Sequence, residues 1–218
     1  MGVIVTAGNL VSLSDNHNQC VNTDIRQRVH RLHFNIAGSI KFEITYLFSR
    51  HPGGKSGDAA ALLHAMKGSR DYCISRSDTL TIAQRAISLG IGAIQGKYTD
   101  ALIPMPTTSE IVSRCCRYAS ARMSGRPPIA HALRKRSVEE LLEVMPPVSA
   151  VSPGVRADYA SFRRRLTSLD RSATIAMKHI PVRLRRFVPL ITAEMGETIR
   201  KMTRVIIVDD VISTGSSF

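Results

Sequence analysis

The stretch VIIVDDVISTGSS, Val205 to Ser217, joins an apolar run, an acidic pair and a loop of small residues. Val205 to Val208 carry no polar side chain, which predicts a central parallel strand buried on both faces. Asp209 and Asp210 follow at the carboxyl end of this strand, where open α/β sheets place their ligands. The stretch therefore predicts a sheet edge that binds a ligand.

The loop after the acidic pair has the composition of an anion-binding site. A glycine lets successive backbone amides turn inward, and neighbouring hydroxyl groups add further donors. A sugar phosphate suits both parts, because carboxylates accept hydrogen bonds from vicinal ribose hydroxyls while the loop binds the 5′-phosphate. An ordinary solvated turn is the alternative, but two adjacent carboxylates repel each other and gain nothing from core packing. The expected phosphate contacts are Ser213, Thr214, Gly215, Ser216 and Ser217.

A second apolar strand leads into a proline-containing turn in the segment DALIPMPTTSE, Asp100 to Glu110. Ala101 to Pro104 is the apolar run, and a helical pattern resumes from Ser109 to Met123. Short apolar strands that alternate with helices predict an α/β fold with a mainly parallel sheet flanked by helices.

Other element boundaries follow from periodicity and capping signals. Apolar residues alternate from Ile40 to Phe48, which predicts a half-buried strand. A helix is predicted from Ser77 to Leu89, with Ser77 or Asp78 as its cap and Gly90 as its stop. The sequence SVEE forms a capping box, which predicts a helix from Ser137 to Val144.

These segments together resemble the type I phosphoribosyltransferase family. The signature of that family is four hydrophobic residues, an acidic pair, two hydrophobic residues and a Ser/Thr-Thr-Gly-x-Ser/Thr loop, which Val205 to Ser217 fits at every position. The Pro-x-Pro turn is similar to the pyrophosphate loop of the ComF-like branch, and LLHAMKGSRDY, Leu62 to Tyr72, is similar to a helix end of that branch. Order and spacing agree over about residues 58 to 140 and 200 to 217.

The resemblance implies an enzyme that binds phosphoribosyl pyrophosphate and transfers the phosphoribosyl group to a nitrogen acceptor. Pyrophosphate leaves the anomeric carbon while the nitrogen attacks, so the enzyme positions groups and compensates charge. Asp209 and Asp210 would hold the ribose and its Mg²⁺. The residues expected to contact pyrophosphate are Met105, Pro106, Thr107, Thr108 and Ser109. The basic residues that would neutralise the leaving group, or else form a solvated helix start, are Arg134, Lys135 and Arg136.

Two features depart from the family pattern. The 150–200 region is longer and more basic, with helical segments interrupted at Pro181 and Pro189. We therefore expect an N-terminal strand or irregular accessory region at 1–55 and a phosphoribosyltransferase-like domain at 56–218, which carries a basic helical insertion at about 150–200. The family has a helix after the phosphate loop, whereas Phe218 follows the loop here. Either the natural chain continues, or the phosphate cradle is truncated.

Charge supports a second hypothesis. Lys and Arg number 30 against 17 Asp and Glu, and this net charge of +13 attracts polyanions. The clusters FRRRL, Phe162 to Leu166, and RLRRF, Arg183 to Phe187, would contact nucleic-acid phosphates, or else form a solvated amphipathic face. The alternative function is thus a catalytically inactive nucleotide-sensing or nucleic-acid-associated protein, in DNA uptake or defence against phage, that retains the fold. A homodimer is left open.

Compartment signals are few. The chain has no apolar run near 18 residues and no signal-peptide pattern. Its four cysteines show neither CxxC pairing nor zinc spacing. We expect a cytoplasmic protein with reduced thiols and no membrane contact.

Overall fold

A computed structural model describes residues 2–14, 21–22, 30–36, 40–46, 49–50, 61–68, 71–107, 110–194, 196 and 201–209. These residues form a mixed α/β structure, as predicted, and the chain divides into two compact units. Unit 1 comprises Met1–Lys97 with Arg122–Ser124, and unit 2 comprises Tyr98–Ala121 with Gly125–Phe218. The boundary predicted between residues 55 and 56 lies outside the described residues and stays a prediction.

Unit 1 combines short strands with two helices. Its strands are β1 (Gly2–Thr6), β2 (Leu10–Ser14), β3 (Val21–Asn22), β4 (His30–Ile36), β5 (Ile40–Tyr46), β6 (Ser49–Arg50) and β7 (Cys73–Ile74), and its helices are α1 (Ala61–Met66) and α2 (Arg76–Ile94). β2 pairs antiparallel with β1 and parallel with β7, while β3–β6 and β4–β5 are antiparallel pairs. Buried apolar residues of β1, β2, α1 and α2 form the core of this unit.

Helix α2 begins and ends outside its predicted limits. Ser75 is the cap, because its hydroxyl accepts a hydrogen bond from the Asp78 amide at 3.0 Å, so neither predicted cap was right. The helix also continues through Gly90, the predicted stop, and Gly96, with a φ of 72°, follows its end. A glycine inside a helix costs only about 1 kcal/mol, which burial of Ala93 in the next turn helps to offset.

Unit 2 contains the remaining elements. They are β8 (Ala101–Pro104), α3 (Glu110–Arg122, which ends in unit 1), β9 (Leu133–Lys135), α4 (Val138–Val144), α5 (Pro153–Thr167), β10 (Ile191–Ala193) and β11 (Val205–Val208). β8 and β11 are parallel, and β9 and β10 are antiparallel. Parallel pairing in the described part of the chain is confined to β2–β7, β8–β11 and a single bridge between Leu102 and Ile129, so a mainly parallel sheet is not established.

The 138–190 region of unit 2 packs around its own apolar core. A 3-10 turn at Val148–Ala150 lies between α4 and α5, and two more, at Met177–His179 and Val182–Phe187, follow α5. The buried core residues are Val138, Leu141, Met145, Val151, Tyr159, Phe162, Leu166, Ile175, Ile180, Leu184, Val188 and Leu190. The basic helical segments predicted from the sequence are therefore one α-helix and two 3-10 turns whose apolar residues face a common interior.

Candidate functional site

β8 and β11 lie side by side, in parallel, and end at the same edge. Val205 pairs with Ala101 at one end of the register, and Val208 pairs with Pro104 at the other. The Met105 amide donates a hydrogen bond to the Val208 carbonyl at 2.9 Å. Because both strands run the same way, the chain after each one leaves from the same edge. Asp209 therefore lies beside the turn that begins at Met105.

β8, rather than β11, is the buried strand of this pair. Leu102 is fully buried and has strand neighbours on both sides, because its amide donates to the Pro128 carbonyl and its own carbonyl accepts from Ala130. β11 pairs only with β8 among the residues that the structure describes. Val205 is 40% exposed and the rest of β11 is half-buried. The prediction that β11 is buried on both faces was wrong. The burial of a strand depends on the elements that pack beside it, and the residues of the strand alone do not determine these.

A carboxylate before β8 fixes the start of β11. The side chain of Asp100 accepts hydrogen bonds from the amides of Thr203 and Arg204, both at 2.8 Å, and from the Thr203 hydroxyl at 3.2 Å. The Thr99 hydroxyl and the Asp100 amide both donate to the Arg204 carbonyl at 2.8 Å. The Arg204 and Thr203 amides lower the pKa of Asp100, so its carboxylate is ionised at neutral pH. These bonds set the register in which Asp209 reaches the edge.

The sequence predicted no role for this clamp, by which we mean Thr99, Asp100, Thr203 and Arg204. An acidic residue directly before a buried strand was the available signal. Its partners lie more than 100 positions further along the chain, so no local pattern could have identified them.

Part of the predicted site lies within the described residues. Met105 is buried, and Pro106, Thr107 and Asp209 are half-buried at the shared edge. Helix α3 follows the turn at Glu110, close to its predicted start. The predicted contacts that lie outside the described residues are Asp210, Ser213, Thr214, Gly215, Ser216, Ser217, Thr108 and Ser109.

The predicted basic residues lie on and just after β9. Nη1 of Arg134 donates to Oε2 of Glu140 at 2.7 Å, Nη2 binds the other carboxylate oxygen, and Nε binds Glu194. These carboxylates raise the pKa of Arg134, and Arg134 is the main cause that lowers the pKa of Glu140 to about 2. Nε of Arg136 donates to the Pro189 carbonyl at 3.3 Å. Arg134 thus has its charge compensated by two carboxylates and links β9, α4 and β10.

The predicted capping box at the start of α4 is confirmed. The Ser137 amide donates to Oε2 of Glu140 at 2.8 Å, and the Glu140 amide donates to the Ser137 hydroxyl at 3.2 Å. Glu140 therefore both caps the helix and pairs with Arg134, which fixes the end of β9 against α4.

No protein-family model matches the chain, and no curated protein or solved structure shows significant similarity to it. None of the helices in the described ranges combines the length and apolar character needed to span a bilayer.

Proposed function

We propose that the protein binds phosphoribosyl pyrophosphate, or a nucleotide with the same ribose 5-phosphate unit, where β8 and β11 end. We further propose that the fold is type I phosphoribosyltransferase-like and that the protein transfers the phosphoribosyl group to a nitrogen acceptor. The observation that carries the proposal is the parallel register of Val205–Val208 with Ala101–Pro104. It sets the ends of two strands side by side, and these strands lead into the segments that the resemblance assigns to the ribose phosphate and to the pyrophosphate.

The spacing of the edge suits one ligand that contacts both segments. Neighbouring strands in a sheet lie about 4.8 Å apart, a distance that a pentose with its substituents can bridge. In this proposal Asp209 and Asp210 accept hydrogen bonds from the ribose hydroxyls, and the Ser213–Ser217 loop donates to the 5′-phosphate. Thr107 and the two hydroxyl residues after it donate to the pyrophosphate on the other side.

The donor chemistry at this edge fits Mg²⁺. This ion favours oxygen ligands and is usually held by one or two carboxylates together with substrate phosphates and water. Asp209 offers one such carboxylate, and no group of three or more His, Cys, Asp or Glu side chains in the described ranges forms a separate metal site. Bound Mg²⁺ would supply positive charge to the pyrophosphate leaving group.

The reaction needs positioning more than proton transfer from the chain. The bond between the anomeric carbon and pyrophosphate breaks with its electron pair on pyrophosphate, while the acceptor nitrogen bonds to that carbon and loses a proton. In this proposal the residues of the edge hold the ribose so that the acceptor nitrogen approaches one face of the anomeric carbon and pyrophosphate leaves from the other. Lys135 and Arg136 are the candidates for charge compensation, because Arg134 is already paired with two carboxylates.

Calorimetry with the full chain tests the proposal. Titration with phosphoribosyl pyrophosphate and Mg²⁺ should release heat, and Asp209→Asn should weaken binding at least tenfold by removing a carboxylate from the ribose contacts. Asp170→Asn is the matched control. That carboxylate caps an exposed turn by accepting from the Ser172 amide at 2.9 Å, a bond that asparagine can also make.

Turnover separates the two functional hypotheses. Release of pyrophosphate with a panel of nucleobases and amines would support the transferase. Binding without pyrophosphate release would favour the catalytically inactive nucleotide-sensing protein. No heat with either phosphoribosyl pyrophosphate or nucleotides would contradict a phosphoribosyl site at this edge.

A further inference from the structure

Residues 178–187 run antiparallel along helix α5. Nη2 of Arg165, near the end of α5, donates to the His179 carbonyl at 3.1 Å. Further back along the helix, Asp158 pairs with Arg183 at 2.7 Å. Residue numbers fall in α5 as they rise in the facing segment, so the two run in opposite directions.

A third contact extends this line to the start of α5. Nη2 of Arg186 donates to the hydroxyl of Ser152, the residue before the helix, at 3.2 Å. The line of contact thus follows the whole length of α5. Arg165, Arg183 and Arg186 make these contacts, and Lys178 precedes His179 in the facing segment; we name these four residues the cationic seam.

Two guanidinium groups of the seam lie over aromatic rings. Cζ of Arg165 lies 5.3 Å from the centroid of the Phe162 ring, and Cζ of Arg186 lies 4.6 Å from that of Phe187. Phe162 belongs to the buried core, and Phe187 packs against it. All four seam residues are exposed, with the Arg183 side chain 61% exposed. Aromatic contacts therefore support the Arg165 and Arg186 guanidinium groups, and all four seam residues remain accessible to solvent.

The seam has a surplus of positive charge. Residues 151–190 contain nine Lys and Arg, two Asp and no Glu. Of the two carboxylates, Asp158 pairs with Arg183, and Asp170 binds the amide and hydroxyl of Ser172. Within the described part of the chain, no carboxylate lies at ion-pair distance from the other three seam residues.

The arginine content of residues 151–190 and the length of α5 favour a phosphodiester backbone as the ligand of the seam. Eight of the nine basic residues in 151–190 are arginine, whose planar N–H pairs match phosphate oxygens. The 15 residues of α5 span about 22 Å, roughly the length of six phosphates on one strand of a duplex. Binders of single strands usually stack bases on aromatic side chains, whereas both rings at the seam lie beneath arginines.

We propose that the cationic seam binds the phosphate backbone of double-stranded DNA, without reading its sequence. This binding is independent of the ligand proposed at the β8–β11 edge. Because each neutralised phosphate releases counterions, affinity should fall steeply and linearly with salt on a logarithmic scale.

Fluorescence anisotropy of a labelled DNA duplex of mixed sequence, titrated with the full chain at several salt concentrations, tests the seam. Lys178→Gln with Arg186→Gln should lower affinity about tenfold or more and reduce the salt slope by about two, one for each lost phosphate contact. Arg114→Gln with Arg117→Gln is the control, because it removes the same charge from exposed positions on α3. Arg186→Lys should keep the wild-type slope.

Several outcomes would overturn the proposal. One is the absence of binding at low salt, and another is an equal loss of affinity in the seam and control variants, which would make net charge the sole cause. Competition by polyglutamate or by anionic vesicles as effective as that by unlabelled duplex would also exclude DNA as the preferred partner. If the double variant does not fold, Lys178→Glu alone changes an exposed residue with no ion pair in the described structure and must still weaken binding.

Discussion

The β8–β11 edge and the 138–190 body of unit 2 are held together by different interactions. The edge depends on polar bonds between segments about 100 residues apart, centred on Asp100. The body depends on a dozen buried apolar residues that are close in sequence. A short motif predicted the strand that ends at this edge, but not the polar bonds that hold it, whereas the charges of the body suggested a basic insertion rather than an apolar core.

In both regions a charged side chain forms hydrogen bonds with backbone groups, but the charge is negative at the edge and positive in the body. At the edge, the Asp100 carboxylate accepts hydrogen bonds from the amides of Thr203 and Arg204, the two residues before β11. In the body, the Arg163 guanidinium donates to three carbonyls at the end of α4, those of Leu142, Met145 and Pro146. A negative side chain thus serves where backbone amides need an acceptor, and a positive one serves where backbone carbonyls need a donor.

The largest expected effect is on the core of the body. Leu141 on α4 is fully buried, so Leu141→Ala should lower the free energy of unfolding by about 3 kcal/mol through lost burial and a cavity. Val144→Ala, at a site on the same helix that is 47% exposed, should change it by less than about 0.5 kcal/mol. Denaturant unfolding measures both. If both variants lowered the free energy of unfolding by the same small amount, the residues of the body would not form a cooperative core.

A smaller effect is expected from the arginine that caps α4. Arg163→Met keeps an apolar stem but removes all three carbonyl contacts, and it should lower the free energy of unfolding by about 1–2 kcal/mol. Arg164→Met removes the same charge from the adjacent, exposed position and should be nearly neutral. The same unfolding assay compares them. If the two variants were equally destabilised, charge rather than carbonyl capping would be responsible.

At the edge, Asp100→Ala should act locally. The amides of Thr203 and Arg204 lose their acceptor, so hydrogen exchange over 203–209 should become faster. Asp100→Asn keeps one acceptor oxygen and should retain part of the protection. Exchange followed by mass spectrometry gives the readout, with peptides of α5 as the internal control. Unchanged protection at 203–209 would show that the clamp does not set the register of β11.

The smallest effect concerns the junction between β9 and α4. The pKa of Glu140 is lowered from 4.5 to about 2 by Arg134 and the Ser137 amide, so its carboxylate stabilises the folded state fully above pH 4.5. This contribution should be lost as the pH falls from 4.5 to about 2. The difference in free energy of unfolding between wild type and Glu140→Gln should therefore shrink over that range. Glu143→Gln is the matched control on the same helix, and an identical pH trend in both variants would contradict the assignment.

Local chemistry could be predicted well from the sequence. The capping box at Ser137, the start of α3 and the strand before Asp209 all depend on neighbouring residues, and all three were found close to their predicted positions. Strand β4 was missed, although Leu32, Phe34 and Ile36 alternate within it as a strand requires. This alternation is a local signal for a strand, so β4 is predictable from the sequence.

Features set by distant contacts could not be predicted. The exposure of β11 depends on which strands flank it, and the sequence of Val205–Val208 is equally compatible with a central or an outer position. Helix α2 passes Gly90 because tertiary burial outweighs a weak local preference. Likewise, the arginines of the cationic seam are visible in the sequence, but their alignment along α5 follows only from the facing segment.

The long reach of the Asp100 clamp has a consequence for how the protein is made. Asp100 and Thr99 leave the ribosome more than a hundred residues before Thr203 and Arg204, their bonding partners. The helices of the intervening body rely on nearer contacts and can assemble during that interval, since domains form as units while synthesis proceeds. β8 must therefore wait for its partner strand, and the proposed ligand edge is completed only after the intervening body has been synthesised.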